Sequence, residues 1–160
     1  CDTKVSWNAK SHPQRSIADL VAAARATSPR LVIITGGEPS QWELNPLTIA
    51  LQDAGLTIHL ETSGAYPLRG QFDWVTLSPK PFKPPHPSVY AQAQELKIII
   101  DQPQDFNWAE EQSARVEASV WRYLQPEWNQ PQAAQWIMDY IQHHPQWRLS
   151  LQTHKILSIR

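Results

Sequence analysis

An α/β fold with parallel strands, arranged as an open partial (β/α) barrel with few helices, is what this sequence predicts. Short apolar, β-branched runs recur along the chain, the pattern of strands in a sheet covered on both faces. Helix start and stop signals fall between some of these runs, and strand alternating with helix argues for right-handed parallel crossovers. Two connections, Ala65 to Phe72 and Pro81 to Gln94, are too short or too proline-rich for a crossover helix, which leaves the barrel open and helix-poor.

The elements follow in order. Ser16 with Asp19 gives a capping-box start to "SIADLVAAARA", whose Ile17, Leu20, Val21 and Ala24 share one face. The first strand is "LVIITGG", ending at Gly37. Asn45 as N-cap, Pro46 at the first helical position and Gly55 past the end bracket a helix over "PLTIALQDA". Strands follow in "LTIHLETSG", ending at Gly64, and "DWVTLSPK", ending at Lys80. The stretch "SPKPFKPPHP" has the fixed φ and missing N–H groups of a stiff, extended connector. After the strand "ELKIIID", ending at Asp101, Asn107 and Glu110 are candidate caps of a short helix. "SVWRYLQP" ends a strand at Pro126. Pro131 opens a helix with an apolar stripe of Ala133, Trp136, Ile137, Tyr140 and Ile141. The last strand, "WRLSLQTH", ends at His154.

At 160 residues, with no linker-like stretch, the chain reads as a single domain over 1–160. Hydrophobic content of 41% against 18% charged residues is globular, and a net charge of −1 gives no electrostatic reason to expect nucleic acid or an anionic membrane. No apolar run is long enough to cross a bilayer, and one cysteine cannot make a disulfide framework, so the cytoplasm is the expected compartment. The eight tryptophans are spread along the chain rather than interleaved with basic residues, unlike a stacking platform for single strands.

In folds of this kind ligands bind at the carboxyl ends of the strands. Those ends carry "TGGEP", "ETSG", "SPK", "QPEW" and "QTHK". Each alone reads as a turn or a satisfied polar pair; their joint placement points to a ligand. Backbone without side chains at Gly36 and Gly37 permits close approach, and Glu38 places a carboxylate there for an ammonium group. Ser78 and Lys80 supply a hydroxyl and a cation for a carboxylate. Together they suit an amino acid zwitterion. There is no GxGxxG or GxxxxGK[ST] for phosphates, and the histidines are scattered without partner cysteines, a poor pattern for zinc. His143 and His144, at a helix end before Pro145, read as structural.

The same motifs, with "CDTK" at the start and "SLQTHKILSIR" at the end, resemble the radical S-adenosylmethionine enzymes and, within them, the 7-carboxy-7-deazaguanine synthases. The resemblance runs over essentially the whole chain. It implies the radical S-adenosylmethionine form of partial barrel and a [4Fe–4S] cluster held by three cysteines, of which Cys1 matches the third. The first two, with an N-terminal strand, are then expected upstream of residue 1, and the chain as given is expected to be inactive. The resemblance further implies magnesium on Thr3 and S-adenosylmethionine on Asp2, Gly37, Glu38, Ser63, Ser78, Lys80 and Gln125. Thr35, His154 and the terminal carboxylate of Arg160 would face the substrate. One departure is Ser158, where the family more often has glycine.

The implied reaction is contraction of 6-carboxy-5,6,7,8-tetrahydropterin to 7-carboxy-7-deazaguanine with loss of ammonia, in queuosine and deazapurine synthesis. The implied partners are an electron donor such as flavodoxin or ferredoxin and a second copy in a homodimer. Two other readings stay open on the residues: a radical activating enzyme with another substrate, and a non-catalytic α/β binding domain in which GGEP is only a turn.

Overall fold

The computed structural model describes residues 13–159. They fall into two compact units that meet in sequence at Ala93 and Gln94. The first holds helix α1 (Ile17–Arg25), strand β1 (Leu31–Ile34), a 3-10 turn (Pro39–Gln41), helix α2 (Asn45–Asp53), strands β2 (Thr57–Thr62) and β3 (Trp74–Leu77), and the one-turn helix α3 (Pro87–Tyr90). The second holds β4 (Glu95–Ile100), α4 (Asp105–Ser113), β5 (Trp121–Pro126), α5 (Ala133–Ile141), β6 (Trp147–Leu149) and α6 (Thr153–Ile156). No helix of the described residues is long and apolar enough to cross a membrane.

In the first unit β2 lies between β1 and β3, parallel to both, with Ile34 opposite Leu60 and Thr62 opposite Leu77. In the second, β5 lies between β4 and β6, again parallel, with Ile99 opposite Gln125 and Tyr123 opposite Arg148. The α/β class with parallel strands is therefore the one expected, and the Ala65 to Phe72 connection carries no helix.

In β3 Val75, Thr76 and Leu77 are buried in succession, the two-sided burial that the apolar runs suggest, but not every strand follows it. In β2 and β4 buried residues alternate with half-buried or exposed ones. On the buried face of β2, Ile58 packs with Leu51 and Leu56 and with the partly buried Val21, Ala24 and Leu47 of α1 and α2, and Leu60 with Leu44, Val75 and Leu47. The alternate side chains of β2, His59 and Glu61, are half-buried.

Local chemistry sets the element ends. Ser16 Oγ accepts the Asp19 N–H at 3.0 Å, as its position predicts. Helix α2 differs: Asn45 is its first helical residue, and its N–H goes to the Glu43 carboxylate at 3.0 Å. Helix α4 starts two residues before Asn107, because Asp105 Oδ2 reaches back to the N–H groups of Asp101 and Gln102 at 2.8 and 3.0 Å. Strand β6 stops at Leu149, and His154 lies in α6 rather than at a strand end.

In the second unit, Glu110 Oε1 accepts the Tyr140 hydroxyl at 2.7 Å and the Trp147 indole N–H at 2.8 Å, joining α4, α5 and β6. Tyr140 is stacked between Phe106, 4.1 Å away, and His144, 3.8 Å away. Burial and the adjacent Glu110 carboxylate hold its phenol above the ordinary tyrosine range. His144 thus has the structural place its position predicts.

Candidate functional site

Three loops at the carboxyl ends of β1, β2 and β3 meet through hydrogen bonds. After β1, the chain turns through Gly36 at φ 92° and Gly37 at φ 60°, both in the left-handed region that favours glycine. A Cβ built on Gly36 meets nothing within 4 Å, so that side of the turn is open. Gly64, after β2, is the opposite case. Its φ is 72°, and a Cβ there would lie 2.5 Å from Leu77 Cδ1 and 3.2 Å from both Pro85 and Val89.

Glu38 follows the diglycine turn and caps the 3-10 turn at Pro39–Gln41. Its Oε1 accepts from the Ser40 N–H at 3.0 Å, the Ser40 hydroxyl at 2.7 Å and the Thr62 hydroxyl. Its Oε2 accepts from the Ser63 N–H at 2.7 Å and from the Ser63 hydroxyl. Burial alone would push this carboxyl up. The donors on Ser63, Thr62 and Ser40 outweigh it and hold the carboxyl below the ordinary glutamate value, so it is ionised at neutral pH.

After β3, Ser78 N–H donates to the Thr62 carbonyl at 2.8 Å, continuing the ladder by one residue. Lys80 Nζ donates to Ser78 Oγ at 2.8 Å. A hydroxyl that accepts from an ammonium group turns its own O–H outward as a donor. Such a hydroxyl beside a cation is the receptor a carboxylate needs. The Lys83 N–H closes the following turn onto the Lys80 carbonyl at 3.1 Å, and His86 N–H reaches the Gly64 carbonyl at 2.8 Å, tying the proline-rich connector back to β2.

Of the residues read from the sequence, Glu38 and Ser63 are in direct contact, and so are Ser78 and Lys80. Thr35 is the exposed first residue past β1, next to Gly36. Gln125 is half-buried in β5, and His154 is exposed in α6. Cys1, Asp2, Thr3 and Arg160 lie outside the described residues. No group of three or more His, Cys, Asp or Glu side chains placed to hold a metal ion occurs among the described residues. Ser158 has φ 52° and sits just past α6, where Ile159 N–H bonds to the His154 carbonyl at 3.0 Å and Ser158 N–H to that of Lys155 at 3.2 Å. This is the Schellman ending, and its left-handed position is the one glycine suits best.

Ser40 and Thr62 join the Glu38 hydrogen-bond network, and motif reading misses both. A signal for Thr62 is present: it continues the buried stripe of Ile58 and Leu60 with a hydroxyl, and a buried hydroxyl needs partners.

No protein-family profile matches the chain. A 7-carboxy-7-deazaguanine synthase of a Synechocystis species is 50% identical over 160 residues, covering 100% of this chain and 77% of that protein. The synthase of Flavobacterium psychrophilum is 44% identical over 160 residues, covering 99% of this chain and 76% of that protein. Among solved structures, QueE from Escherichia coli superimposes with a TM-score of 0.77 at 30% identity, over 86% of this chain and 64% of that one.

Proposed function

Because the chain belongs to the 7-carboxy-7-deazaguanine synthase family, we propose that it carries the S-adenosylmethionine receptor and part of the pterin site of a radical enzyme. The reaction is ring contraction of 6-carboxy-5,6,7,8-tetrahydropterin to 7-carboxy-7-deazaguanine with release of ammonia. The observation that carries this reading is the meeting of the diglycine turn, Ser63 and the Ser78–Lys80 pair at one end of a parallel sheet. The open space at Gly36 and the oriented hydroxyl at Ser78 fit the amino acid end of S-adenosylmethionine.

When bound, S-adenosylmethionine with its [4Fe–4S] cluster supplies hydrogen-atom abstraction, chemistry beyond any side chain here. The chain's residues bind and orient. Ser78 and Lys80 hold the carboxylate of the zwitterion, and Gly36 and Gly37 let the backbone approach it closely. Glu38 and Ser63 serve its ammonium end, and Gln125 and Asp2 are assigned to the same cofactor by the family pattern. Thr35, His154 and the terminal carboxylate of Arg160 are assigned to the pterin on the same basis. Cys1 is assigned to the cluster and Thr3 to magnesium, a hard cation that takes few protein oxygens. Fixing the reacting partners in place is the protein's main contribution to rate.

The further assignments are an electron donor of the flavodoxin or ferredoxin kind, a homodimer and a cytoplasmic setting. The test is equilibrium binding of S-adenosylmethionine to the cluster-loaded full-length protein, together with mass-spectrometric detection of 7-carboxy-7-deazaguanine from the tetrahydropterin. Ser78→Ala with Lys80→Met should weaken cofactor binding by about tenfold or more, the scale of a charge-assisted hydrogen bond. Unchanged affinity removes the carboxylate receptor, and absence of the deazaguanine product removes the reaction.

A further inference from the structure

Within the zwitterion receptor, the two ends differ in how their hydroxyls are oriented. Ser78 Oγ accepts from Lys80 and so presents a donor, which suits a carboxylate. Ser63 is the reverse. Its O–H donates to Glu38 Oε2, so its oxygen presents only lone pairs outward, and its polarity is raised by the carboxylate it binds. A hydroxyl in that state is an acceptor for an ammonium group.

Glu38 itself is poorly placed to be that acceptor. A carboxylate offers about four lone-pair sites. Here Oε1 is engaged by the N–H and hydroxyl of Ser40 and by Thr62, and Oε2 by the N–H and hydroxyl of Ser63. Thr62 holds this arrangement together. It is 4% exposed, its hydroxyl donates to Glu38 and accepts the Gly64 N–H at 2.9 Å, and its carbonyl takes the Ser78 N–H at 2.8 Å. One residue therefore touches the loops after β1, β2 and β3.

We propose that Glu38 is a positioning residue, clasped by Thr62, that acts on the ligand through Ser63: the Ser63 hydroxyl oxygen receives the ammonium group and the Glu38 carboxylate fixes which way that hydroxyl points. The proposal rests on the reading of this site as the S-adenosylmethionine receptor, and deepens it. The charge of Glu38 still favours a cation nearby, but it is delivered along the Ser63 O–H bond rather than by contact.

The test is a binding cycle on the holoenzyme with two probes, S-adenosylmethionine and its desamino analogue, in which hydrogen replaces the amino group. Wild type should prefer the amine-bearing probe by about tenfold or more, the scale of a hydrogen bond to a charged group. Ser63→Ala should abolish that preference. Glu38→Gln, whose amide N–H groups would face donors, should lower the preference in the wild-type background but change it less than about twofold in the Ser63→Ala background, because neighbouring residues that act as a unit are not additive. Thr62→Val should lower it and Thr62→Ser should restore it.

If Glu38→Gln costs as much with Ser63→Ala as without it, Glu38 touches the ligand directly and the proposal is overturned. Full preference in Thr62→Val overturns the part given to Thr62. Should the Glu38 variant fail to fold, Ser63→Ala decides alone, since a preference unchanged there removes the relay. A wild type that binds S-adenosylmethionine without preferring the amine overturns the relay but leaves the cofactor reading standing. A wild type that binds neither probe overturns both.

Discussion

Replacing Gly64 by alanine tests whether the site is held as the packing indicates. A left-handed backbone costs a residue with a Cβ about 1–2 kcal/mol. The added carbon would also lie 2.5 Å from Leu77 Cδ1 and 3.2 Å from Pro85 Cβ and Val89 Cγ1. Leu77 and Val89 are fully buried, so neither has room to swing aside. Overpacking of this kind costs about 1–3 kcal/mol. The two effects sum to roughly 2–5 kcal/mol, a large part of the 5–15 kcal/mol typical of a folded domain. Gly36→Ala is the internal control: φ is again positive, but the new Cβ meets nothing within 4 Å, so only the backbone cost remains. At about 2–4 °C per kcal/mol for a chain of this size, Gly64→Ala should melt roughly 4–20 °C below wild type and Gly36→Ala about 2–8 °C below. Far-UV circular dichroism with urea midpoints on the same samples reads both. A Gly64→Ala midpoint equal to that of wild type, or a Gly36→Ala variant that melts lower, would refute the packing argument.

Three further outcomes follow from contacts already described. Glu110→Ala should cost about 1–3 kcal/mol, because the Trp147 indole N–H is buried without another acceptor; urea midpoints should show most of that cost vanishing in a Trp147→Phe background, and an undiminished cost there sinks the explanation. Ser158→Gly should slow hydrogen exchange at the Ile159 amide by relieving about 1 kcal/mol of left-handed strain, and faster exchange would contradict the Schellman ending. The Glu38 carboxyl titrates lower in the folded chain than unfolded, so its contribution is complete above the ordinary glutamate value of about 4.3 and disappears as pH falls through the lower folded value. The stability deficit of Glu38→Gln should therefore be full at pH 7 and narrow below about pH 4; a deficit that stays constant under acid speaks against an ionised clasp.

What the sequence discloses depends on how local the controlling chemistry is. Strands β1 to β4 announce themselves through β-branched apolar residues, and Ser16 marks α1 because the cap contact spans three residues. Where two neighbours compete for one role the start shifts, as with Glu43 accepting the N–H of Asn45. Helices α3 and α6 have four residues each, too few for a periodic stripe, so "QTHK" reads as the end of a strand although Thr153 to Ile156 are helical. The alternating burial of β4 is hidden for a different reason: half-buried positions such as Ile99 are still apolar. At the site, the residue types at Glu38, Ser63, Ser78 and Lys80 are legible, but the contact between Glu38 and Ser63 is not, because it joins residues 25 apart.

That separation gives the Glu38 network a consequence for folding. A carboxylate cannot enter a partly dry environment until its donors are in place, and two of them, Thr62 and Ser63, sit on a strand end that must first find β1 across the whole of α2. The clasp therefore belongs to the late, non-local phase of folding, after the β1–β2 ladder has closed its loop. Substitutions within it should raise the unfolding rate while leaving the folding rate nearly untouched. The loops that Glu38 joins should then set after the strands they follow.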